Sequence, residues 1–169
     1  MNRTVLGIDE SSKTGYAVFS DEERLLESGT EVFKGDAGQR FYEFDRWLSQ
    51  MIITWSPSLL VYEKPHFRGY AATLSGVGLI ALILKHAYSA GIPVIGVHTA
   101  TLKSFATGYG KATKDAMTKA ANVKEGLSLA TKENNNEADA IHLALYGVDY
   151  INNPNNDSLK KKTKKRAKK

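Results

Sequence analysis

The sequence predicts an α/β domain in which helices flank a mixed, five-stranded central sheet. Three observations predict it: short apolar runs of strand length, long stretches of helical periodicity between them, and a strand–helix alternation that begins only after three consecutive strands. At 169 residues the chain is long enough for one domain with a full core and short for two.

The elements follow in order. Val5–Asp9 is a first strand, apolar up to the aspartate and closed by turn-prone Ser11–Gly15. Tyr16–Ser20 and Leu25–Phe33 are the second and third, separated by a charged turn, so the chain opens as a meander. From Gln39 to Trp55, Phe41, Phe44, Trp47, Leu48, Met51 and Ile52 recur at helical spacing, and Ser56-Pro57 ends the helix. Leu59–Glu63 is a fourth strand, apolar at consecutive positions as in the middle of a parallel sheet. Tyr70–Ala90 is a long helix rich in small residues, a composition that admits another helix at close range, and Ile92–Val97 is the fifth strand. A short helix over Thr99–Phe105, a glycine loop over Thr107–Lys111 and a helix from about Thr113 come next. Asn134–Asn136 read as the N-cap cluster of a final helix, about Glu137–Tyr150. Residues 1–151 are the expected domain, and 152–169 a disordered basic tail with nothing to build a core.

Composition narrows the function classes. The net charge is +5, yet Lys160–Lys169 holds eight of the 23 basic residues, leaving residues 1–159 with 15 basic and 18 acidic groups, a net of −3. A mildly acidic body with a cationic arm points to an anionic polymer as partner, bound in part by salt-sensitive, sequence-independent attraction. A solubilising tail is the plainer alternative. The absence of cysteine excludes disulfides, thiolate metal sites and cysteine nucleophiles, and fits a reducing, cytoplasmic setting. The longest apolar run, near Gly76–Leu84, is interrupted by glycines and stops at Lys85, so no membrane span is expected, and the N-terminus enters a strand with no signal segment expected.

Three acids stand where an acid is costly. Asp9 and Glu63 each close an apolar strand, and Asp139 precedes the apolar stripe of the last helix. An ionised carboxylate in such a place needs a partner, and a divalent cation is the usual one. Taken singly, Asp9 could cap its turn, Glu63 could pair with Lys64 or Arg68, and Asp139 could be a first-turn helix acid. Taken together the strand order sets Asp9 beside Glu63, and like charges that close require a cation between them. Asp139, at a helix start, is expected to be kept ionised by the helix dipole. Oxygen ligands select Mg²⁺ or Mn²⁺ over zinc, and two such ions about 4 Å apart perform in-line phosphodiester displacement.

These residues also carry a resemblance. The meander feeding a parallel strand through a helix is the ribonuclease H-like arrangement. The blocks GIDESSKTGYAV, VYEKPHF, LKSFATGYGKATKDAM and EADAIHLAL, over roughly residues 4–150, resemble the four motif blocks of RuvC-type Holliday junction resolvases. The asparagine-rich run and unsplit blocks suggest a phage-borne member. The resemblance implies a homodimeric, Mg²⁺-dependent endonuclease that cuts four-way DNA junctions, with no membrane or small-molecule partner and with catalytic roles for Asp9, Glu63 and Asp139. It departs at one place: the bacterial pattern has a fourth acid where this chain has Asn136. Glu137 ranks first for that role, ahead of Asn136 and of His142, which lies a turn beyond Asp139; an ordinary first-turn acid and a half-buried helix histidine are the plainer readings.

For DNA contact, Lys103, Lys111 and Lys114 flank the Gly108-Tyr109-Gly110 loop, where lysines and backbone N–H groups can hold a phosphate. His66, Phe67, Arg68 and Tyr70 follow Glu63 directly and offer basic and stacking side chains, with a core role for Phe67 as the alternative. Rival functions are a ribonuclease H acting on RNA or RNA–DNA hybrids and a non-catalytic junction-binding protein. An actin-like ATPase, which shares the first hairpin, would need a second domain that 169 residues do not supply.

Overall fold

The structure, a computed structural model, describes residues 3–65 and 69–153, without the side chains of 70–72. One five-stranded sheet runs through it in the order β3-β2-β1-β4-β5. β1 (Thr4–Asp9), β2 (Lys13–Ser20) and β3 (Leu25–Val32) form the antiparallel meander. β4 (Leu59–Glu63) and β5 (Val94–Val97) extend it in parallel on the far side of β1. β5 begins two residues later than its apolar pattern, because Pro93 brings no N–H to the ladder; its carbonyl accepts from Leu60.

Side-chain alternation assigns each strand residue to one of two cores. Val5, Leu59 and Val61 face α5 (Thr131–Asn152), which is backed by α3 (Thr99–Thr107) and α4 (Lys114–Glu125) through Leu102, Met117 and Ala121. Leu6, Ile8 and Leu60 face α1 (Ala37–Trp55) and α2 (Tyr70–Ala90), whose Phe44, Leu48, Leu79, Ile83 and Ala87 fill the second core. Asp36 caps α1, its Oδ1 accepting from the Gln39 N–H at 2.9 Å, and so starts the helix two residues before the apolar pattern does.

The last helix carries one extra turn ahead of the expected start. It begins at Thr131 and runs to Asn152, and the asparagines mark a kink inside it: Asn134 is non-helical at φ −120°, ψ 16°. Asn134 still does local work there, its Nδ2 donating to Glu137 Oε2 at 3.1 Å. Beyond the kink the helix lies directly on the sheet. A Cβ on Gly7 would come within 2.4 Å of the Ala140 carbonyl oxygen, and one on Gly15 within 1.9 Å of the Asn136 carbonyl oxygen.

α2 combines a membrane-like composition with a place in the second core. Thr73–Ala90, with mean hydropathy 1.2, is long and apolar enough by composition to cross a membrane, because leucines and alanines on both sides offset Gly76, Gly78 and Lys85. Its inner face is core, while Lys85 and His86 both reach Asp45 of α1, at 2.8 and 2.9 Å. Its outer residues Leu74, Val77, Leu84 and Tyr88 are exposed.

Candidate active site

The carboxyl-terminal edge of the parallel strands is where a sheet of this kind opens to ligands, since helices on both faces begin there. A cleft of about 350 Å³ occupies that edge. β1 and β4 run parallel with Ile8 opposite Tyr62, so the next residues, Asp9 and Glu63, stand side by side. Asp139 enters from α5, and Lys103 of α3 and Lys114 of α4 complete the rim. Three acids separated by up to 130 positions are thus brought into one cleft.

Burial governs the electrostatics. It pushes the Asp139 carboxyl up to about 7, with the Glu63 charge adding to the shift and Lys114 and Lys103 opposing it. The expectation that a helix dipole holds Asp139 ionised is corrected: the regular helix resumes just past the break at Asn134, yet desolvation prevails. Glu63 Oε1 accepts a hydrogen bond from the Thr99 hydroxyl. Among the described residues no three carboxylate or imidazole groups already converge on one cation position.

The remaining predicted residues divide. Glu137 is in the core rather than the cleft: its Oε1 accepts from Ser28 at 2.7 Å and its Oε2 from Asn134. His142 is buried, its Nε2 2.9 Å from the Met117 carbonyl, which places it against α4 and away from Asp139. Asn136 does line the cleft, but its Nδ2 is engaged with Ser11 Oγ at 3.2 Å and with the Lys13 carbonyl. Lys111 is exposed in the glycine loop, outside the cleft lining that holds Lys103 and Lys114. His66, Phe67 and Arg68 lie outside the described residues, as does the Tyr70 side chain.

Two cleft residues escaped the sequence reading. Thr99, just inside the N-terminus of α3, holds Glu63. Glu10, the residue after β1, lines the cleft with its Oε2 buried, and burial together with the charges of Asp9 and Glu63 drives its carboxyl well above the ordinary range. Adjacency to Asp9 was the available signal for Glu10; for Thr99 it was the position two residues past the fifth strand, at the start of α3.

No protein-family model matches the chain. It is 31% identical over 152 residues to a crossover junction endodeoxyribonuclease RuvC of Synechococcus sp. strain WH7803, covering 85% of this chain and 96% of that protein. The RuvC of Parasynechococcus marenigrum strain WH8102 is 29% identical over 151 residues with the same coverage. Among solved structures, Thermus thermophilus RuvC in complex with a Holliday junction substrate superposes with a TM-score of 0.75 at 21% identity, covering 88% of this chain and 94% of that one. The yeast mitochondrial Holliday junction resolvase Ydc2 gives 0.67 at 12% identity, covering 94% and 83%. These likenesses establish the ribonuclease H-like fold, and the level and extent of identity to the cyanobacterial protein decide the family: the chain belongs to the RuvC crossover junction endodeoxyribonucleases.

Proposed function

We propose that the chain is a homodimeric, divalent-cation-dependent endodeoxyribonuclease that resolves four-way DNA junctions by paired nicks. The observation that carries this reading is the cleft itself, with Asp9 and Glu63 on neighbouring parallel strands, Asp139 above them and lysines on the rim. Relatives named for this activity match along nearly their whole length, which supports the same reading.

The donor set suits a hard cation. It is all oxygen, it concentrates negative charge in a partly desolvated cleft, and it leaves a buried carboxylate oxygen of Glu10 without a donor. Asp9, Glu63 and Asp139 would hold the ion, with Mg²⁺ as the natural one and Mn²⁺ as its substitute. Bound there, the cation supplies positive charge against the scissile phosphate and makes water more acidic. The chain's own residues do the rest. Thr99 fixes the Glu63 carboxylate. Lys103 and Lys114, with Lys111 in the adjoining loop, draw and orient the phosphodiester backbone. His66, Phe67, Arg68 and Tyr70, which follow Glu63 in the sequence, are proposed to stack on and pair with unstacked nucleotides at the crossover.

Two coordinated nicks need two sites in fixed relation. The outer face of α2 supports a dimer: Leu74, Val77, Ala81, Leu84 and Tyr88 are all exposed and follow a 3–4 spacing, the pattern of a helix–helix seam. The basic tail, 152–169, adds non-specific affinity for DNA, and the bacterial cytoplasm is the proposed compartment. Asp9→Asn or Glu63→Gln tests the site. Each is expected to abolish junction cleavage while leaving junction binding equal or tighter, since a charge that repels phosphate is removed. Loss of binding together with activity would contradict the assignment and give these acids a structural role instead.

A further inference from the structure

Glu10 sits one residue past β1, and alternation puts it on the opposite face from Asp9. Val5, Leu59 and Val61 share the core under α5, and Asp9 and Glu63 continue that parity. Leu6, Ile8 and Leu60 share the core under α1 and α2, and Glu10 continues theirs. Tyr62 packs on that second core as well. Thr73 and Gly76 of α2 line the cleft on this side. The cleft thus wraps the edge of β1 and β4, with Asp9 and Glu63 entering from one face and Glu10 from the other.

A second observation points to a ligand there. Glu10 Oε2 is fully buried and has no hydrogen-bond partner among the described residues. A buried carboxylate oxygen without a donor is costly, and a chain that keeps one generally has something to set against it. The other acids and amides near the position are committed. Glu137 is bound to Ser28 and Asn134, and the Asn136 amide nitrogen is held by Ser11 and the Lys13 carbonyl. Of the residues that line the cleft, Asp9, Glu10, Glu63 and Asp139 are the four carboxylates.

We propose that Glu10 is the fourth carboxylate of the cation site that Asp9, Glu63 and Asp139 would form, supplying the charge that Asn136 does not carry. The inference rests on the cation reading given above. It assigns the fourth role to a residue on β1's exit rather than to α5.

Mn²⁺ binding to the DNA-free protein tests it without turnover, by following the electron paramagnetic resonance signal of free Mn²⁺ during titration of the native chain, Glu10→Gln and Asp9→Asn. The native chain is expected to bind Mn²⁺, Asp9→Asn to lose binding, and Glu10→Gln to bind about 10- to 100-fold more weakly, the loss seen when even a supporting group of a metal site is removed. Glu10→Gln is expected to fold, since it removes buried charge; should it not, Glu10→Asp, which keeps the charge on a shorter arm, is expected to show the same direction of loss. Native affinity and stoichiometry in the folded Glu10 variant, with Asp9→Asn deficient, would overturn the role of Glu10 alone. Absence of Mn²⁺ binding by the native chain would overturn the cation reading itself.

Discussion

Gly15→Ala isolates the close seating of α5 on the sheet as the feature that sets Asp139 above Asp9. Gly15 pairs with Asp9 across β1 and β2, and the turn of α5 that carries Asn136 and Glu137 rests on it. A Cβ at this position would stand 1.9 Å from the Asn136 carbonyl oxygen, 2.1 Å from its carbon and 2.6 Å from the Glu137 nitrogen. All three are backbone atoms, so no side chain can swing aside. Ordinary contact begins near 3.4 Å, so the helix must rise by about 1.5 Å at this turn, and Asp139 lies only three residues further on. Misplacing a catalytic group by about 1 Å costs on the order of 100-fold in rate. Overpacking adds about 1–3 kcal/mol of destabilisation, or roughly 2–12 °C in Tm for a chain of this size. Single-turnover cleavage of a labelled four-way junction, beside a thermal melt and a junction-binding titration, measures all of this. The expected result is cleavage down about 100-fold, Tm lowered and binding nearly intact. Cleavage within threefold of the parent at an unchanged Tm would refute the claim that this contact positions Asp139.

Two further outcomes follow from charge. Asp139 has a folded pKa of about 7 against 3.8 unfolded, so the folded state holds an extra proton between those values and cation-free stability falls as pH rises from about 4 to 7. Urea melts without divalent cation at pH 5 and pH 8 should show the part of this decline above pH 5, at most on the order of 3 kcal/mol from Asp139, and Asp139→Asn should remove that share; an equal pH slope in the variant would contradict the assignment. Removal of Lys160–Lys169 should weaken binding to all DNA sequences alike and flatten its salt dependence, measured by anisotropy between low and moderate salt; unchanged low-salt affinity would give the arm another role.

Much of this was legible in the sequence because punctuation and pattern agreed. β4 and α2 run over the residues their patterns predict, Leu59–Glu63 and Tyr70–Ala90. Pro57 and Pro65 bracket the strand, and Gly91, in the left-handed conformation, closes the helix. Asp9 and Glu63 could be set side by side because strand order alone fixes them. What stayed hidden depended on distant partners. Glu10 reads as one polar residue in a polar turn, and the cleft it lines is also lined by Thr73 and Gly76, more than sixty positions away. Glu137 reads as the natural fourth acid until Ser28, 109 residues earlier, is found to hold it. His142 shares a helix with Asp139, but α4 supplies a backbone carbonyl that takes the imidazole on another side. The asparagine run signals a helix boundary, and the chain uses it as a kink because Thr131–Glu133 can form a turn ahead of it.

The most direct test of the central claim is cleavage of an immobile four-way DNA junction, set beside a linear duplex and an RNA–DNA hybrid, with Mg²⁺ and with EDTA. Paired nicks in the junction alone, present with Mg²⁺ and absent with EDTA, are the predicted result. Junction binding with no nick at any Mg²⁺ or Mn²⁺ concentration, or cutting of the hybrid in place of the junction, would contradict it.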